Sequence, residues 1–107
     1  SGGMRKRAAI ARALALDPEL LYLDEPSSGL DPFSAARLDR LILNLRRHLG
    51  TTVVMVSHSI DSVFAVADRL LFLDDLEKTM TALDAPQTLA AHGPARVREF
   101  LHRGAPA

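Results

Sequence analysis

Two adjacent carboxylates, Asp24 and Glu25, stand at the end of the apolar run Leu20-Leu21-Tyr22-Leu23 and are followed at once by Pro26. An unbroken run of this kind suits a strand covered on both faces, and the proline keeps it from continuing as a central ladder member. The acids therefore belong just outside the carboxyl end of a strand, where open α/β sheets bind ligands. There Asp24 can hold Mg²⁺, directly or through a water, while Glu25 accepts a proton from an attacking water or orients it. The same residue types also suit a plain solvated turn, so the pair does not decide the matter alone.

A second run, Thr51 to Val56, is rich in β-branched residues and ends in Ser57-His58-Ser59. It repeats the first pattern, a buried strand delivering a polar side chain at its carboxyl end. His58 can sense or stabilise phosphate charge, because imidazole donates a hydrogen bond in either protonation state; a loop histidine satisfied by backbone is the plainer alternative. At the start of the sequence, Ser1-Gly2-Gly3 precedes a strong helix former. Exposed amides at a helix N-terminus, with glycines that let an anion approach, form a phosphate cradle; a simple cap or a loose end is the competing reading. Ser27-Ser28-Gly29-Leu30-Asp31-Pro32 reads as a polar loop leading into the next helix.

The elements that must position these groups alternate between strand and helix, which makes the chain an α/β protein with mostly parallel strands. The first helix is expected from about Met4 to Leu16, ending before Asp17-Pro18. Leu38, Leu41, Ile42, Leu45 and Leu49 recur at helical spacing as a core stripe, with Gly50 as the carboxyl cap. Ser59 is placed to cap a third helix through about Ala67 that buries Val63, Phe64 and Ala67. Strands follow at Leu70 to Leu73 and, shorter, at Thr79 to Leu83; Ala95 to His102 forms a packed helix through Val97, Phe100 and Leu101, and residues 104–107 fray.

Composition narrows the classes. Hydrophobic residues make up 48% and charged residues 24% of the chain, values of a globular protein rather than a disordered one. Thirteen basic residues balance thirteen acidic ones, so no global field draws nucleic acid or an anionic membrane. Arg5-Lys6-Arg7 is a local basic cluster that helical spacing spreads around the axis, which favours solvated positions over docking to a partner or nucleotide. No cysteine is present for a disulfide, and no apolar run approaches the ~20 residues that a bilayer requires. Any membrane connection is expected through a partner.

Taken in order, these elements resemble the carboxyl-terminal part of an ATP-binding-cassette nucleotide-binding domain, a P-loop NTPase-like layered fold. The likeness covers nearly all of residues 1–107: signature Ser1-Gly2-Gly3, a Walker B strand ending in Asp24 and Glu25, the D-loop Ser28-Gly29-Leu30-Asp31 and a switch histidine, His58. The resemblance implies that Asp24 is the acid of the Mg²⁺ site, Glu25 the general base or water-positioning carboxylate, and His58 the residue facing the γ-phosphate. It implies that Ser1, Gly2 and Gly3 bind the ATP held by a second nucleotide-binding subunit, and that Asp31 lies in the loop coupling the two sites. Hydrolysis is then phosphoryl transfer to water, driven by positioning and charge stabilisation.

No Gly-x-x-x-x-Gly-Lys-Ser/Thr occurs in the chain, and the family places that loop upstream of its signature. The chain is therefore expected to be a fragment that by itself neither binds ATP tightly nor hydrolyses it, with apolar sheet edges and faces left open. Residues 84–107 are expected to form a helical tail, although Asp84 stands where the family often has glycine; Asp can still cap the helix that Pro86 begins. Met4-Arg5-Lys6-Arg7 and the ending Val97 to His102 look like the phospholipid-transport group that maintains outer-membrane lipid asymmetry. That implies a transmembrane permease partner, a peripheral place on the cytoplasmic face of the inner membrane, and no nucleic-acid partner. The rivals are the ATPase of another solute importer or exporter, a non-transport cassette ATPase acting on nucleic acid or ribosomes, and a noncatalytic interaction module.

Overall fold

The computed structural model describes residues 2–74 and 79–103. Ser1 and the expected fray at 104–107 lie outside the described residues. Helix α1, Gly2–Leu14, begins earlier than the periodicity suggests and stops two residues sooner. Its end is a tight turn: Leu16 N donates to Ala13 O and Asp17 N to Leu14 O, and Asp17 takes a left-handed φ of 50°. A short polar side chain tolerates that conformation better than most.

Strands β1, Leu20–Asp24, and β2, Thr52–Val56, pair in parallel from Leu20 opposite Thr52 to Asp24 opposite Val56. The crossover between them is helix α2, Pro32–Leu49, so the three form a βαβ unit. Helix α2 starts where Asp31 accepts a hydrogen bond from Ser34 N, with Pro32 in the first turn, and ends at Gly50 in the left-handed region (φ 67°).

Leu21, Leu23, Val53 and Met55 face inward and pack with Ile10 of α1 and with Leu38, Ile42 and Leu45 of α2. The alternate residues Leu20, Tyr22, Val54 and Val56 are exposed, Tyr22 by 60%. This corrects the expectation of a strand covered on both faces: side chains alternate across a strand, and among the described residues the helices cover one face only. The exposed apolar face expected of this sheet is thus present. Leu49 departs from the buried stripe as well, at 50% exposed. Eighteen residues of helix span about 27 Å against about 17 Å for a five-residue strand, so the sheet cannot cover α2 along its whole length.

Helix α3, Ile60–Val66, is capped by Ser59, whose Oγ accepts from Ser62 N, and it buries Ser62, Val63 and Val66. Phe64 is half-buried and belongs to a second cluster, while Ala67 is the carboxyl cap. Arg46 ties α2 to the end of α3: its Nη1 donates to Val66 O and to Asp68 Oδ2, each at 3.0 Å. An antiparallel pair follows, β3 (Leu70–Asp74) with β4 (Thr79–Asp84), irregular between Phe72 and Leu73. Helices α4, Pro86–His92, and α5, Ala95–His102, close the second cluster around Leu89, Val97 and Leu101. Phe100 of α5 meets Phe72 edge-on at 5.5 Å between ring centres. Asp84 does not cap α4 as expected: Ala85 is the N-cap, and the Asp84 carboxylate binds Ala85 N, one residue short of the helix.

Candidate active site

In-register parallel pairing sends β1 and β2 out of the sheet on the same side, which brings residues 33 positions apart into contact. Glu25 N donates to Val56 O at 2.8 Å, carrying the ladder one step beyond β1. Glu25 itself adopts a left-handed φ of 47°. For a non-glycine residue with a long side chain this costs about 1–2 kcal/mol, and such strain concentrates at functional sites. Its carboxylate Oε1 accepts a hydrogen bond from His58 Nδ1.

Proton placement follows from that contact. A carboxylate only accepts, so Nδ1 of His58 carries the proton, and Nε2 is an acceptor in the neutral ring and a donor only after a second protonation. The imidazole is 85% exposed and the Glu25 side chain 30%. Oε2 of Glu25 is not the oxygen that His58 engages, and it can take a water.

Asp24 is exposed at the last position of β1, opposite Val56. Among the described residues no three His, Asp or Glu side chains converge as a metal cluster. A single carboxylate at a strand end nevertheless suits Mg²⁺, which keeps several waters and takes other ligands from phosphate oxygens. Asp24 is the residue that would hold it.

Between β1 and α2 the chain makes two consecutive turns, closed by Ser28 N to Glu25 O and Leu30 N to Ser27 O, both 3.1 Å. Gly29 sits inside the second turn at φ 78°, a conformation that glycine adopts at least cost. Asp31 is occupied with its own helix: hydrogen bonds from Ser34, side chain first and then backbone, hold its carboxyl below the usual aspartate value. The start of α1 lies against this loop. A Cβ on Gly2 would stand 3.4 Å from Leu30 Cδ2, and one on Gly3 would stand 3.8 Å from Ser34 Cβ. The structure therefore joins Glu25 to His58 and sets Gly2 and Gly3 beside the loop that ends at Asp31.

Three side chains around this site are not among the expected site residues. Lys6, expected as one of a solvated basic cluster, donates from Nζ to Ser28 O at 2.5 Å, an exposed tie between positions 22 apart in sequence. Arg46 is the second, tying α2 to the end of α3 through Val66 O and Asp68. Asp39 is 5% exposed and accepts from Ser62 Oγ at 2.9 Å across the α2–α3 contact, while its Oδ1 has no partner among the described residues. Burial raises the Asp39 pKa, the Ser62 hydrogen bond lowers it, and the charge of Asp61 raises it further. The available signal was an acid beside Leu38 and one helical turn from Ala35 and Ile42, on the face that the apolar stripe marks for burial. A groove of about 670 Å³ runs beside it, bordered by Glu25, Ser28, Arg40 and Asp61.

Comparison with known proteins adds four findings. A family model described as "AAA domain, putative AbiEii toxin, Type IV TA system" matches residues 1–65. The chain is 46% identical over 101 residues to the intermembrane phospholipid transport system ATP-binding protein MlaF of Escherichia coli, covering 94% of this chain and 37% of that protein. It is 39% identical over 102 residues to the probable ribonucleotide transport ATP-binding protein mkl of Mycobacterium tuberculosis, covering 95% of this chain and 28% of that protein. Among solved structures, cbiO1 of Clostridium perfringens, part of the ABC transporter complex cbiONQ, superposes with a TM-score of 0.76 at 31% identity, covering 94% of this chain and 39% of that one. The chain thus spans little more than a third of the length of the first of these relatives.

Proposed function

Because the chain belongs to the ATP-binding-cassette ATPases, we propose that it is the carboxyl-terminal part of the nucleotide-binding domain of a transport ATPase. Residues 84–107 then form its helical tail. The observation that carries this reading is the Glu25–His58 pair at adjacent exits of two parallel strands, with Glu25 in a strained backbone conformation.

In this reading Glu25 receives the proton of a water that attacks the γ-phosphorus of ATP. As the new P–O bond forms, the bond to the bridging oxygen of ADP breaks. Oε2 holds the water while Oε1 remains engaged by His58, so the carboxylate cannot rotate freely. His58 reaches a phosphate oxygen as a donor in one of two ways: through Nε2 after a second protonation, or by releasing Glu25 and turning Nδ1. Mg²⁺, when bound with Asp24 among its ligands, supplies charge neutralisation on the phosphates. Gly2 and Gly3 contact the nucleotide of a second nucleotide-binding subunit through amides at the start of α1, and the family resemblance assigns Ser1, outside the described residues, to the same contact. Asp31 contributes by capping α2 and so fixing the end of the connecting loop.

The remaining partner is a transmembrane permease that holds the ATPase at the cytoplasmic face of the inner membrane. None of the described helices is long and apolar enough to cross a membrane. Phospholipid is the cargo we favour, on the 46% identity to a phospholipid-transport ATPase. A relative named for ribonucleotide transport at 39% supports the second reading, another solute. Deleting the gene should disturb outer-membrane lipid distribution; intact lipid distribution with lost uptake of a small solute would select the second reading.

The chemical assignment is tested by Glu25→Gln in an ATPase subunit that joins these residues to a phosphate loop. Turnover should fall by roughly 10²–10⁴-fold, the range of a lost general base, while ATP binding persists. Near-wild-type turnover would place the base elsewhere. The 107-residue chain, which contains no phosphate-loop motif, should show no micromolar ATP binding by calorimetry.

A further inference from the structure

We propose that Lys6 is a positioning residue that ties the Glu25–Asp31 loop to the first turns of α1, so that the anion-facing helix start and the catalytic carboxylate move as one body. The inference rests on the assignment of Glu25 as the water-activating group.

Residues 2, 3 and 6 share one face of a helix, since positions three and four apart are neighbours. All three meet the same stretch of chain: Gly2 faces Leu30, Gly3 faces Ser34, and Lys6 Nζ donates to Ser28 O at 2.5 Å. Pro26 and Ser27 at the start of the loop are buried and Leu30 near its end packs on the core, but Ser28 and Gly29 between them are exposed. The loop's internal bonds are the two turn closures, and nothing lies within 4 Å of the place a Gly29 Cβ would occupy. Glycine at φ 78° adds backbone freedom beside the very carbonyl that Lys6 grips.

Ser28 is the connecting link. Its carbonyl accepts from Lys6, and its N–H donates to Glu25 O, so displacement of Ser28 reaches the Glu25 backbone through one hydrogen bond. Glu25 is already held at a strained φ, and such a residue persists only where its surroundings fix it. An ammonium group bound to a carbonyl is a charge-assisted bond, stronger than a neutral pair. Spanning 22 residues of sequence, it restrains the loop from outside.

The test uses the ATPase subunit carrying a phosphate loop, assembled with its permease. Lys6→Met keeps length but removes the donor; Lys6→Arg keeps a cationic donor. Lys6→Met should lower kcat roughly ten- to a hundred-fold, as expected when a reacting group is misplaced by about 1 Å, with KM for ATP changed by less than about three-fold. Lys6→Arg should recover most of the loss. In Lys6→Met, hydrogen exchange at the Ser28 and Leu30 amides should accelerate while exchange within α1 is unchanged. Wild-type kcat, a rise in KM with kcat intact, or uniformly faster exchange with a lowered Tm would each overturn the proposal. Glu25→Gln separates the two failures: its retention of turnover refutes the catalytic assignment, whereas its inactivity beside a fully active Lys6→Met refutes the tether alone.

Discussion

Removing one hydroxyl group, by Ser62→Ala, should cost about 1.5–3 kcal/mol of folding free energy at neutral pH, the contribution of a hydrogen bond to a charged acceptor. Ser62 is 2% exposed and donates to Asp39 Oδ2 at 2.9 Å, and Asp39 Oδ1 already lacks a partner among the described residues. The variant therefore leaves a buried carboxylate with no donor among the described residues at either oxygen. Against a total stability of about 5–15 kcal/mol, the loss is large enough to measure by urea unfolding.

Acidity should change the size of that loss. Burial raises the folded-state pKa of Asp39 above the ordinary 3.8. A raised carboxyl pKa contributes stability that is fully present below the unfolded value and is lost as pH rises through the folded value. Ser62 is the one influence pulling the value down, so its removal raises the folded pKa further and steepens the decline. The gap between variant and wild type should accordingly be widest near pH 7 and shrink below about pH 4. Replacing both partners, Asp39→Val with Ser62→Ala, removes the titration and should recover most of the loss. Urea curves at several pH values for the four chains of this cycle provide the measurement. A Ser62→Ala penalty under about 0.5 kcal/mol at pH 7, or one that does not shrink in acid, would refute the reasoning.

Two more outcomes follow from the fold. Asp31→Ala should destabilise α2 above about pH 4, because hydrogen bonds from Ser34 depress the Asp31 pKa below 3.8 and such a contribution disappears as pH falls through the folded value. Asp31→Asn should keep the cap and lose the pH dependence, as read by denaturation between about pH 2 and pH 5. Tyr22→Lys, on the uncovered sheet face, should reduce self-association of the chain in sedimentation velocity with little change in unfolding midpoint, since Tyr22 is 60% exposed. Unchanged sedimentation would assign association to another surface.

Much of the local structure was legible because its causes are local. Gly50 in the left-handed cap, Ser59 as an N-cap and the stripe through Leu38, Ile42 and Leu45 all follow from backbone conformation and period, whereas Asp31, read only as part of a loop, proved to be the N-cap of α2. Coverage of β1 was not legible, because its apolar run is the same whether a second layer lies over Leu20 and Tyr22 or not. The roles of Lys6 and Asp39 were hidden for a related reason. Each is a charged residue on a helix, and its partner, Ser28 or Ser62, comes more than 20 positions later.

By its residue types and their order, the sequence alone determined the chemistry available: two acids at a strand end, a histidine at the next, and glycines before a helix. These depend on neighbours within a few residues, and short-range sterics and hydrogen bonding decide them. Only the tertiary structure decided that Glu25 and His58 meet, because contact across 33 residues requires β1 and β2 to pair in one register. A slip of one residue would turn every side chain of a strand to the other face. The core that prevents it, Leu21 and Val53 against Leu38 and Ile42, exists only once the βαβ unit has closed.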